Sequence, residues 1–593
     1  MIHWIIKRIE MGVKWAQNRL TKKQFIILSS ILIGLTAGLA AILLKTFVHY
    51  IFLAATYEKL SDYRFLYLLL PMIGLFLTVL VVKKVLKNKL VKGLSQVHYA
   101  IAKKSSILPK NQTYDQVITS SITVGFGGST GLEAPIVITG AALGSNYSRK
   151  YKLSGKERTL LLACGIAAGI GAAFNAPIAG VLFALEVLLL DLTISAFTPL
   201  IIASASGALI SKVILNDEIL LSFRMEHSFD YINVPFYVLL GILAGVVSVY
   251  HARMFIRVES LFHLNQGGRY KKVVLGGLAL AALIFIFPSL FGEGYQSIKS
   301  LATQHPEVLL DSSLFQGFKS NEWFVLIFIG VLVFVKSIAT GLTLGAGGNG
   351  GNFAPALFVG AYLGYFFSRV FNLLFQSELP VNNFTIVGMA GILSGLYHAP
   401  LTAIFLIAEI TGGYTLMIPL MIVSSISFAI SRYFDPYSMD MKNIAESGNA
   451  LTSDRDKNVL SAINMADYIE NDYPLLSPNT SLGNLVKVVS NSTRNVFPVV
   501  DSQKRLLGLI WLDDIRDTMF KTEFYTSVKA QDLMVKPTEL VLHNDPMDIV
   551  MHKFDDTGNW VLPVVDEGIY KGFISKSNVF SGYREKLKVS TIE

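Results

Sequence analysis

The stretch GGSTGLEAPIVITGAALG, Gly127–Gly144, returns in altered form as GGNGGNFAPALFVGAYLG at Gly347–Gly364. Aligned on Pro135 and Pro355, both read A-P, four residues, then G-A-x-L-G. A second pair follows each. NAPIAGVLFALE ends at Glu186 and HAPLTAIFLIAE ends at Glu409, and in both the Glu lies nine residues after the proline, Pro177 or Pro400. Gly/Pro-interrupted apolar segments occurring once in each half of a chain point to a duplicated transporter fold with a site near the membrane midplane.

Composition puts the chain in a membrane. It is 52% hydrophobic and 16% charged, with a mean hydropathy of +0.51, far from the soluble average. Apolar runs at Phe25–Leu44, Phe65–Val82, Phe236–Val249, Val274–Phe287 and Phe324–Val335 are separated by short polar turns. Several are too short or too rich in glycine to span alone, which favours tilted and broken helices. The expected fold is an all-α polytopic membrane protein with inverted repeats and broken helices. Its expected divisions are a segment 1–24, a transmembrane domain 25–440 with repeats at about 25–215 and 235–440, and a tail 441–593.

Lys7, Arg8, Lys14, Arg19, Lys22 and Lys23 precede the first apolar run, and no small-residue cleavage site follows it. Basic flanks of this kind favour a cytoplasmic amino terminus, and no secretory leader is expected. The cluster Lys83, Lys84, Lys87, Lys89 and Lys92 has the same character. The net charge of +9 then reflects topology, though a basic mouth also attracts anions. A single cysteine, Cys164, excludes an internal disulfide. No H-E-x-x-H or Walker loop is present, and the ten histidines form no metal-spaced cluster, so neither an enzyme nor a metal centre is expected. No nucleic-acid partner is expected either.

The tail carries its own repeat. NVFPVVDSQKRLLGLIWLDDI, Asn495–Ile515, parallels NWVLPVVDEGIYKGFISKSNV, Asn559–Val579, and a helical pattern precedes each at Ser481–Ser490 and Pro546–Phe554. Strand and helix alternating in two units predict a compact α/β pair. It resembles a tandem CBS pair, a module that often binds adenine nucleotide through G-x-x-[ST]-x-x-D. By that resemblance Asp514 and Ser575 are the candidate nucleotide ligands, but Trp511 replaces the hydroxyl in one unit and Asn578 the acid in the other. A regulatory, dimer-stabilising module is the expectation, with adenine nucleotide as an optional ligand and no cofactor required.

Each A-P pair places proline in a first helical turn, where its missing N–H costs nothing. The free N–H groups and the positive dipole end of such a helix make an anion site. Starts of this kind in both halves can hold one small anion without a full opposite charge, weakly enough to release it. The same residues resemble the CLC chloride channels and chloride/proton exchangers. GSTGLEAP is similar to the family's G-[KR]-E-G-P element, with Leu132 and Ala134 replacing the basic residue and second glycine, and Gly350–Pro355 is similar to its G-x-F-x-P element. The resemblance spans about 25–440 and implies a homodimer with one chloride pore per subunit, in the inner membrane of a bacterium, with the amino terminus and tail cytoplasmic.

It also implies residue roles. Glu133 matches the gating glutamate, while Leu132, Ala134, Asn352, Phe353 and Ala354 flank the anion with backbone amides. Tyr437 in FDPYSMD matches the tyrosine that bounds the anion on the cytoplasmic side, in an alignment one residue short. Glu186 and Glu409 suit paired hydrogen bonding as well as ion handling, and Glu186 is a proton-pathway candidate beside Glu133. Exchangers of the family carry a glutamate at the place of Val187, so passive conduction is expected over coupled exchange. The family's G-S-G-x-P motif has its best match at 91–95, with Lys92 in the place of the serine. Lys92 then sits near the inner anion site, or the loop shifts and Ser95 supplies a hydroxyl, or Lys92 turns away with the basic cluster; the last is slightly favoured. The expected function is gated, passive chloride transport, with voltage dependence and a regulatory tail; the alternative is a chloride/proton antiporter.

Overall fold

The computed structural model describes residues 2–55, 64–88, 90, 92–187, 194–215, 229–264, 268–303, 305–311, 313–446, 460 and 463–592. They form two compact units, Met1–Ala450 and Leu451–Glu593.

In the first unit the duplication governs packing. Helices Lys22–Ala55, Gln112–Gly125, Glu133–Lys150, Gly155–Phe174, Pro177–Glu186 and Ile194–Leu215 form one repeat. Val234–Leu264, Glu322–Gly345, Phe353–Phe375, Val381–Tyr397, Pro400–Ile410 and Met417–Phe434 form the other. Neighbours correspond: Glu133–Lys150 packs on Gly155–Phe174 as Phe353–Phe375 packs on Val381–Tyr397, and Ile194–Leu215 meets Lys22–Ala55 as Met417–Phe434 meets Val234–Leu264. Seven helices among the described residues are long and apolar enough to cross a membrane. The helix Ile2–Arg19 precedes them, and Gln17 Nε2 donates to the Tyr151 carbonyl at 2.9 Å.

The glycines of the repeated motif explain the close packing. A Cβ on Gly140 would lie 2.2 Å from the Gly165 carbonyl oxygen, and one on Gly165 would lie 2.0 Å from that of Gly140. The second repeat does the same with Gly360 and Gly388, at 2.5 and 2.4 Å. Lipid offers no hydrophobic drive between helices, so such backbone approach is what holds them. Asn175 and His398 end the helices before the second A-P pairs in the left-handed conformation, φ 53° and 55°. Each turn releases the chain into a short helix opening at Pro177 or Pro400.

The second unit realises the tail repeat. Val496–Val500 and Leu506–Trp511 form one antiparallel hairpin, and Val561–Asp566 and Ile569–Ser575 form the other. A parallel partner joins each, Leu476 against Val499 and Val541–Leu542 against Val564–Val565. The edges are exchanged: Ile469–Glu470 pairs with the second hairpin and Val535 with the first. Helices Leu482–Ser490 and Met547–Thr557 cover separate cores around Phe497 and Phe554, both fully buried.

Candidate functional site

The two glycine-rich runs meet directly. Gly131 N donates to Gly351 O at 2.9 Å and Gly351 N to Gly131 O at 2.8 Å. Equivalent residues exchanging bonds set the starts of helices Glu133–Lys150 and Phe353–Phe375 against each other. A Cβ on Gly131 would lie 3.1 Å from the Ala354 amide, and one on Gly351 3.1 Å from that of Ala134. Leu132, Ala134, Asn352, Phe353 and Ala354 are all buried around this junction. The result is a concentration of backbone N–H groups at the positive ends of two helices.

Glu133 lies over that junction, 4% exposed. Its Oε1 accepts from the Tyr295 hydroxyl at 2.8 Å. Its Oε2 is buried near Gly131 and the amides of Glu133 and Ala354 without a well-aligned hydrogen bond. The carboxylate therefore lies against the amides of the two helix starts, tethered by the Tyr295 hydroxyl. Beside it opens a cavity of about 520 Å³ lined by Lys45, His49, Glu133, Glu293 and Tyr295 among others.

On the far side of the junction the Phe353 ring packs against Phe174, Phe183 and Tyr397, with centroids 5.5, 6.1 and 5.5 Å away. Asn352 is held by side chains: its Oδ1 pairs with His251 Nε2 at 2.9 Å and its Nδ2 approaches Met439 Sδ at 3.1 Å. That contact corrects the expectation for Tyr437. Helix Met439–Glu446 begins two residues beyond it, so Met439 faces Asn352 while Tyr437 lies exposed beside His398, Asp435 and Lys442.

Lys92 and Ser95 also depart from expectation. Lys92 does not turn away with the basic cluster; its Nζ donates to the Gly348 carbonyl at 2.6 Å, at the root of the second glycine run. The Ser95 hydroxyl donates to the Asp440 carbonyl at 2.9 Å, so it ties helix Ser95–Lys103 to helix Met439–Glu446 and is not turned to an anion.

Glu186 and Glu409 cap each other's repeat. Glu409 accepts from the amides of Ile178 and Ala179 at 3.1 and 2.9 Å. Glu186 accepts from Leu401 N at 3.1 Å, Thr402 N at 2.7 Å and Thr402 Oγ1 at 2.8 Å. The geometry favours the paired hydrogen bonding of the two readings, and Val187 beside Glu186 is buried and apolar.

Three groups went unnoticed in the sequence: half-buried Tyr295 and Glu293, and buried Lys336. The first two share Gly292-Glu293-Gly294-Tyr295, an acid flanked by glycines that was a usable signal. Fully buried Lys336 donates to Ser129 Oγ at 2.9 Å and to the Gly292 carbonyl at 3.2 Å. Gly127–Gly131 spells G-x-S-x-G, but Ser129 is wholly buried under Lys336 and open to no substrate. In the tail, the Ser575 hydroxyl and Asn578 Nδ2 both donate to Glu470 Oε1, and Arg494 pairs with Glu470 at 2.8 Å and Asp472 at 2.6 Å. Asp514 is exposed at the start of a four-residue helix, so Ser575 is engaged internally and Asp514 is open.

An inverted-repeat membrane fold whose opposed helix starts meet under a carboxylate defines an anion-transport protein. The family model for the voltage gated chloride channel matches residues 73–432 and that for the CBS domain residues 465–521. The chain belongs to the CLC family of chloride channels and transporters, a class of transport proteins and not of enzymes, and carries a C-terminal CBS region. A putative chloride channel protein, ClcB-like, from Ralstonia nicotianae is 31% identical over 363 residues, covering 60% of this chain and 80% of that protein. The voltage-gated ClC-type chloride channel ClcB of Escherichia coli is 27% identical, covering 53% and 71%. Among solved structures, a slow cyanobacterial Cl⁻/H⁺ antiporter aligns with a TM-score of 0.62 at 21% identity, covering 72% of this chain and 98% of its own. A eukaryotic CLC transporter aligns at 0.60 and 18% identity, covering 93% and 97%.

Proposed function

We propose that this protein is a passive, gated chloride channel in which Glu133 is the gate. The observation that carries the reading is the Glu133 carboxylate lying over the paired helix starts at Gly131 and Gly351. Chloride there would be held by backbone N–H groups of Leu132, Ala134, Asn352, Phe353 and Ala354, and would enter once Glu133 is protonated or displaced. Passive flow is supported by Val187, which cannot relay a proton, and by the engagement of both Glu186 oxygens with helix Pro400–Ile410. The reading extends to a homodimer with voltage-dependent opening, in the inner membrane of a bacterium, with the amino terminus and tail cytoplasmic. The tail acts in regulation, and the occupied Ser575 and Asn578 favour a structural role over nucleotide binding.

The second reading is a chloride/proton antiporter. It draws on the likeness to solved Cl⁻/H⁺ and CLC-type fluoride/proton antiporters and on the acid pair Glu133 and Glu293 lining one cavity. Purified protein in liposomes separates the two: chloride-driven uphill proton movement would overturn the channel reading, and chloride flux without it supports it.

A further inference from the structure

Helix Glu133–Lys150 has two carboxylates at its start. Glu133 covers its own amide, and the Glu293 carboxylate lies against the backbone N–H of Leu132, the residue capping the helix. The two acids come from opposite halves of the chain and line the same cavity of about 520 Å³. The Glu293 loop is firmly built. Gly292 N donates to Gly127 O at 3.0 Å and Lys336 donates to Gly292 O. Gly292 and Gly294 take φ of 68° and 96°, and a Cβ on Gly294 would strike the Phe358 ring at 2.6 Å. A backbone pinned this way holds the Glu293 side chain at the helix start.

We propose that Glu293 is a second gating carboxylate, which shares the N-terminus of helix Glu133–Lys150 with Glu133 and sets the pH at which the pore opens. This rests on Glu133 being the gate. An anion arriving through the cavity meets both acids before it reaches the helix start. Two carboxylates lining one cavity disfavour each other's charge, so a proton taken by one alters the affinity of the other. The other titratable groups facing them are Lys45 and His49 from helix Lys22–Ala55, Lys336 from helix Glu322–Gly345, and Tyr295. The lysines offset the charge of the pair, and Tyr295 donates to Glu133 alone, which leaves Glu293 the freer acid to meet a proton from the cavity.

The test is chloride efflux from liposomes across pH 4 to 8 (on the order of four units, wide enough to bracket carboxylates shifted by burial). Glu293→Gln keeps an acceptor for Leu132 N–H and removes the charge. Glu133 then binds protons more weakly, so half-activation should move about one unit lower in pH, a tenfold change in proton affinity, and flux at neutral pH should fall. Glu293→Asp keeps the charge and should hold the wild-type midpoint. In the Glu133→Gln background a shallow pH response should remain and vanish in Glu133→Gln/Glu293→Gln. An unchanged midpoint in Glu293→Gln, or an equal shift in Glu293→Asp, overturns the proposal. Full wild-type pH dependence in Glu133→Gln instead overturns the gate itself, so the two failures are distinct.

Discussion

Replacing Glu186 or Glu409 by alanine strips the opposite repeat of its cap. Glu186 accepts two amides and the Thr402 hydroxyl, and Glu409 accepts two amides. A donor left unsatisfied costs about 1–3 kcal/mol, and inside a bilayer water does not replace the lost partner. Losing the negative charge at a helix start adds roughly 0.5–2 kcal/mol. By the same principles Glu409→Ala should cost about 2.5–8 kcal/mol, and Glu186→Ala, which strands a third donor, about 3.5–11 kcal/mol. The glutamines, which keep one oxygen, should cost about half as much. Melting followed by the loss of the monodisperse peak on heating in detergent should show Glu409→Ala falling by several degrees and Glu186→Ala by at least as much. Chloride flux at temperatures where the variants are folded should persist. If Glu186→Ala melts like wild type yet loses a proton flux that wild type shows, the cap reading is wrong and Glu186 is a relay.

Glu133→Gln should make chloride flux high and nearly independent of pH in liposomes; full pH dependence would remove Glu133 from the gate. Tyr295→Phe frees the Glu133 carboxylate from its only well-formed side-chain bond among the described residues, and should raise basal flux several-fold without loss of folded protein. Gly140→Ala forces a Cβ to within 2.2 Å of the Gly165 carbonyl, and Gly360→Ala does the equivalent; both should fail to yield monodisperse protein, while Gly155→Ala, with open space around it, should not. In the tail, hydrogen bonding to Arg494 holds the Asp472 carboxyl below its usual range. Its stabilisation is present above the unfolded pKa and is lost as pH falls through the lower folded value, so Arg494→Ala should flatten the acid limb of a pH–melting curve for residues 451–593. On the same fragment, ATP, ADP and AMP should leave the melting midpoint unmoved if Glu470 keeps Ser575 and Asn578.

The fold was legible because duplication writes the same constraint twice. Pro135 and Pro355 mark paired helix starts, Gly140 and Gly360 mark paired contacts, and Glu186 and Glu409 mark paired caps, so each assignment had an internal control. The candidate site was legible where it depends on backbone. It failed where a single side chain decides. Tyr437 and Met439 are two residues apart in a connection without periodicity, and only the start of helix Met439–Glu446 determines which meets Asn352. Lys92 sits in a basic run whose composition suggests solvent, yet its length lets the ammonium reach Gly348, 256 residues away in sequence. Tyr295 and Glu293 were missed because nothing local ties them to Glu133; a contact across 162 residues brings Tyr295 there.

The exchange of bonds between Gly131 and Gly351 also bears on how the protein can move. The two repeats are stitched together there by a pair of backbone N–H···O=C hydrogen bonds. Swinging one half past the other would tear that stitch and strand four polar backbone groups away from water. Access to the anion is therefore altered most cheaply by turning one or two side chains while the scaffold stays still. In a gate of that kind, speed would be set by side-chain rotamer changes.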